Sequence, residues 1–94
     1  MKKAVLDLTG CKYPLEMHAR FQKALHFPEH YGRNWDAFWD SIMNDTEVDF
    51  VEIHGESKVA SELQDMLEKL HSILNEAKEA SFQQGWQFDY IIVD

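Results

Sequence analysis

Asp36 and Asp40 stand four residues apart in the string NWDAFWD, each directly after a tryptophan, Trp35 and Trp39. On a helix that spacing puts both carboxylates on one face, where they repel each other by roughly a few tenths of a kcal/mol. Asp36, in the first turn, gains from the helix dipole, whereas Asp40 lies too deep to share that help. Glu29, Asp45, Glu47 and Asp49 add negative charge around the pair, and Arg33 is the only basic residue between Lys23 and Lys58. Over so short a helix the two tryptophans cannot both reach the core with Phe38 and Ile42, so one of them lies near the surface. An exposed tryptophan flanked by carboxylates has the composition of an interface centre for a basic partner. The competing reading is a solvated face on an acidic chain.

Other residue types suggest chemistry less securely. His26, Glu29 and His30 match the H-x-x-E-H pattern of inverted zinc peptidases. That motif works only when a helix brings both imidazoles to one face, and Pro28 disfavours helical geometry at Phe27. A metal-dependent hydrolase built from His26, His30, Asp36 and Asp40 is therefore a remote alternative. His18, His54 and His71 stand singly, with solvated or core-edge positions expected. Cys11, the only cysteine, has no neighbouring histidine motif and reads as a small half-buried thiol. The four glycines form no phosphate-binding cluster. The expectation is a protein without catalytic residues, metal or cofactor.

The elements that must position these residues follow from pattern. The 94 residues fit one domain, 1–94, with a single core. A 45% apolar share excludes a disordered chain, and no apolar run approaches the twenty or so residues of a membrane span. The net charge of -8 opposes nucleic acid and anionic membranes and favours basic partners. A lone cysteine and an opening MKKAVLDLTG without an apolar core point to the cytoplasm. Lys3 to Leu8 reads as a strand, and a helix begins at Pro14 and is interrupted by Pro28. Residues 26–32 form a loop, and Asn34 caps a short second helix that stops near Asn44 and Asp45. Val48 to His54 is the next strand. Ser57 to Ala80 carries an apolar stripe at helical period, as one helix or two, and WQFDYIIV closes the chain as a strand. Strands separated by helical crossovers predict an α/β fold with a small parallel sheet.

The segment from Leu25 to Asp40, LHFPEHYGRNWDAFWD, resembles the hallmark segment of the barstar family, bacterial inhibitors of the ribonuclease barnase. The likeness extends to the opening Lys-Ala-Val strand, to Glu76-Ala77-Lys78 in the long helix and to the final apolar strand. It implies a three-stranded parallel sheet packed with about four helices. It also implies a monomer that binds a basic ribonuclease or related nuclease toxin, with Asp40 reaching deepest into the enzyme's site, Asp36 pairing with a neighbouring cation and Trp39 at the rim. Glu29, His30, Tyr31, Gly32, Arg33 and Asn34 precede that helix, and Glu76 matches a further contact position. Three departures stand out: His30 replaces a tyrosine, Arg33 replaces an acid, and Ser41 and Phe82 stand near the family's two cysteines. Arg33 and His30 motivate the alternative of an immunity or regulatory module aimed at a non-ribonuclease target.

Overall fold

A computed structural model describes residues 2–94. Strand β1 (Lys3–Asp7) is followed by helices α1 (Pro14–Ala24) and α2 (Trp35–Asn44), strand β2 (Phe50–His54), helix α3 (Gln64–Gln83) and strand β3 (Asp89–Ile92). The strands form one parallel sheet in the order β1-β2-β3, with Lys3 opposite Phe50 and Phe50 opposite Asp89. Both crossovers step the same way across the sheet, so right-handed connections put all three helices on one face. Residues alternate accordingly: Ala4, Leu6, Val51 and Ile53 are buried beneath the helices, whereas Lys3, Val5 and Asp7 face outward. A single apolar core joins the sheet to Met17 and Phe21 of α1, Phe38 and Ile42 of α2, and Leu67, Leu70, Leu74 and Ala77 of α3.

The expectation of about four helices is corrected to three α-helices with two short 3-10 turns, Glu56–Lys58 and Ser61–Leu63. Between these turns Ala60 is extended, with ψ 141°. Its N–H donates to the carbonyl of Cys11 at 2.9 Å, and Val59 is buried in the core. The backbone is thereby tied to the loop after β1, and an α-helix there would have to give up that bond. All three strands are also shorter than the pattern predicts, β1 by one residue at its end and β2 and β3 chiefly at their starts. The Val48 N–H donates to the Thr46 hydroxyl, whose own proton goes to the Leu25 carbonyl, so β2 starts at Phe50. Residues 86–88 fold against the end of α3, where the Trp86 and Phe88 N–H groups donate to the carbonyl and hydroxyl of the buried Ser81.

The turn after β2 requires glycine. Gly55 has φ +82°, and a Cβ there would overlap the Thr9 hydroxyl and lie 2.5 Å from the Thr9 nitrogen. At Gly85, with φ +87°, an added Cβ would meet open space. Gly55→Ala is expected to cost about 2–4 kcal/mol, from backbone strain plus collision, against roughly 1 kcal/mol for Gly85→Ala from strain alone. Chemical denaturation of the two variants measures the difference, and equal losses would remove the collision as the cause.

Candidate functional site

The start of α2 is set by Asn34. Its side-chain oxygen accepts from the Ala37 N–H at 2.8 Å, and its amide donates to the Gly32 carbonyl at 3.3 Å, so one residue caps the helix and closes the loop before it. Gly32 packs tightly here, since a Cβ would come within 3.3 Å of both Ala37 Cβ and the Asn34 amide. Arg33 sits in the left-handed region at φ +53°, a conformation that holds an exposed arginine at the mouth of the helix. Phe38, Ser41 and Ile42 are buried, which turns Asp36 and Asp40 to solvent. Both tryptophans are half-buried rather than one being buried and the other exposed. Trp35 packs on His18, Phe21 and Phe38, while Trp39 borders an open cleft.

That cleft, of about 710 Å³, runs between α2 and α3. Asp36, Trp39 and Asp40 form one wall, Lys69, Ile73 and Glu76 the other. Six ion pairs occur among the described residues, and none uses Asp36, Asp40 or Glu76. Asp40 accepts only a neutral hydrogen bond, from the Asn44 amide at 2.8 Å. The structure thus brings together three exposed carboxylates from two helices without cancelling their charge. It does not bring in the whole acidic field expected from sequence: Glu47 pairs with the Lys2 ammonium at 2.7 Å, and Asp49 accepts from the Lys2 backbone N–H at 2.7 Å. Glu29 and His30 are exposed on the preceding loop. Lys69 and Ile73 were not singled out from sequence, although Lys69, Ile73 and Glu76 follow the four-then-three spacing of one helical face.

Tyr31 points inward. Only 6% of it is exposed, and its hydroxyl shares a 2.7 Å hydrogen bond with His18 Nδ1, so the loop is fastened to α1 from below. Burial drives the Tyr31 hydroxyl far above the ordinary phenol range, so it stays protonated. Burial, and then the charge of Arg33, hold the His18 imidazole below its ordinary pKa. His18 is a core residue rather than a core-edge one, while His54 and His71 bond Glu52 and Glu56 at 2.6 and 2.7 Å. Cys11 is fully buried, not half-buried, and desolvation raises its thiol pKa. In the H-x-x-E-H string His26 has φ +57°, which ends the turn after α1 and breaks the helical face that motif needs. Among the described residues no three His, Cys, Asp or Glu side chains converge as a metal ligand set.

Residues 1–93 match the sequence model of the family described as barstar, barnase inhibitor. The chain belongs to the barstar family. The three-stranded parallel α/β fold and the match over nearly the whole chain agree with the likeness carried by Leu25–Asp40. Membership sets this chain in a family described by barnase inhibition.

The burial of His18 gives a pH signature. Between the ordinary histidine pKa of about 6.5 and the lowered native value, the unfolded chain binds more protons than the folded one. The contribution of His18 to stability is therefore complete above about pH 6.5 and is lost as pH falls from there toward the native pKa. In urea unfolding at a series of pH values, His18→Asn is expected to flatten this part of the curve. Tyr31→Phe, which removes the hydroxyl from a buried bond, is expected to cost about 1–2 kcal/mol at pH 7.5.

Proposed function

We propose that this barstar-family chain is a stoichiometric inhibitor that occupies the active site of a basic ribonuclease, of the barnase type or a related nuclease toxin. An RNA-cleaving site gathers cations to hold a polyanion, and carboxylates at matching positions compete for them through charge-assisted hydrogen bonds. The observation that carries the reading is that Asp36, Asp40 and Glu76 border one cleft, and among the described residues no cation is paired to any of them. In this proposal Asp40 reaches deepest, Asp36 meets a flanking cation, and Trp39 supplies apolar contact beside them. Glu29, His30, Gly32, Arg33 and Asn34 extend the contact, because a standard interface of about 800 Å² per partner exceeds what α2 alone offers. Tyr31 acts from beneath, holding the loop in shape. The proposed activity is binding without turnover, by a monomer in the cytoplasm, where a cell that makes such a nuclease needs protection from it.

Arg33 favours a second reading, in which the same face serves a different target. An exposed arginine in a strained conformation beside the cleft repels a partner that is basic there.

Titration into a barnase-type ribonuclease, followed by RNA cleavage, tests the proposal. Inhibition is expected to be complete at one equivalent, and Asp40→Ala is expected to weaken binding at least about thirtyfold, through faster dissociation. Asp65→Ala, on the exposed first turn of α3, is expected to change affinity less than about twofold. Equal small effects would mean that α2 is not the contact, and no inhibition would move the search to another basic target. Association is also expected to slow as salt rises from 0.1 to 1 M and the screening length shrinks from about 10 to about 3 Å. A rate indifferent to salt would contradict charge steering.

A further inference from the structure

Among the described residues Lys69 is the only cation lining the cleft. It lies one turn before the buried Ile73 and two turns before Glu76, so the α3 wall carries opposite charges from positions about 10 Å apart along the helix axis at 1.5 Å of rise per residue. Of the other lysines and arginines, Lys2, Lys3, Arg20 and Lys78 are engaged in ion pairs away from the cleft, while Lys12, Lys23, Arg33 and Lys58 are unpaired among the described residues but do not line the cleft, so it is the position of Lys69 that sets it apart. Lys69 faces three carboxylates around the same opening, yet it forms neither an ion pair nor a hydrogen bond with any of them. Its ammonium is exposed on the rim, available to whatever enters.

For a partner that is basic throughout, such a residue is a defect, because it sets like charges against each other at the edge of an otherwise complementary face. For a partner that carries one carboxylate beside its basic site, it is a contact. We propose that Lys69 is a specificity-determining residue of the cleft, pairing with a carboxylate of the partner protein beside the cation that meets Glu76. The inference rests on the inhibitor reading and narrows it, since it selects basic nucleases whose active-site rim includes an acid. A nucleic acid phosphate is disfavoured as the counterpart, because three carboxylates around the same cleft outweigh the one ammonium.

The test uses the full chain, its Lys69→Met and Asp40→Ala variants, and a barnase-type ribonuclease. The enzyme is used intact and with each acidic residue bordering its active-site groove replaced in turn by alanine. Lys69→Met keeps the length of the stem and the helix propensity while removing the charge, and its unchanged thermal melt checks folding. The expected result is that Lys69→Met loses about threefold to tenfold in affinity, that one acid-to-alanine enzyme loses a similar factor, and that the two losses together do not add. If Asp40→Ala abolishes binding while Lys69→Met binds every enzyme version as the parent does, or more tightly, the inhibitor reading stands and the role of Lys69 is overturned. If the parent chain fails to inhibit or Asp40→Ala has no effect, the inhibitor reading itself fails and the inference falls with it.

Discussion

Two like charges one helical turn apart drift away from each other unless the helix beneath them is held by something stronger, and in this molecule an aromatic layer does the holding. His18, Phe21, Phe27, Tyr31, Trp35 and Phe38 come from α1, the loop and α2, with ring centres 4.9 to 5.9 Å apart in mostly tilted and edge-on arrangements. Pairs of this kind contribute about 0.5–1.5 kcal/mol each beyond the burial of their surface. The repulsion between Asp36 and Asp40 amounts to roughly a few tenths of a kcal/mol, so the layer outweighs it several times over. An acidic face can therefore stand without an internal cation to neutralise it. The polar links obey the same logic, since Asn34 and Tyr31 spend their hydrogen bonds on shaping the loop and leave the carboxylates untouched.

The sheet explains why two helices lie close enough to form a cleft at all. Parallel strands are ordinarily covered on both faces. Here the order β1-β2-β3 puts every helix on one side, where α2 packs against α3 and α3 packs against β3. The outer face is left to water and is fitted out accordingly. Glu52, in the central strand, forms an ion pair with Lys3 at 2.7 Å and a hydrogen bond with His54 at 2.6 Å, so the middle of the bare face carries a polar ladder among Val5 and Ile91.

Much of this was legible in the residue pattern, because its causes are local. The strand around Val5, the cap at Asn34, the end of α2 near Asn44 and the stripe along α3 each depend on neighbours a few residues away. What the sequence left open depends on distant partners. Ala60 breaks the helical pattern because its N–H bonds a carbonyl 49 residues earlier, that of Cys11. The strand at the end of the chain loses its first three residues to Ser81. Glu47 and Asp49 read as part of an acidic field until the fold delivers Lys2 to them. His18 carried no signal at all, since a lone histidine on an amphipathic helix acquires its meaning only when Tyr31 arrives across the loop. The α2 part of the candidate site was readable from spacing, in Asp36 and Asp40, and Glu76 only through the family resemblance, whereas Lys69 carried no signal because it joins them through tertiary contact.

Cys11 lies where the first strand's exit is tied to the break at Ala60, wholly enclosed and with its thiol held in the unreactive protonated form. A lone sulfur in that position is silent toward alkylating reagents for as long as the surrounding layers stay shut. Each labelling event records an opening of that junction, so the molecule carries its own chemical clock for fluctuations that expose its core.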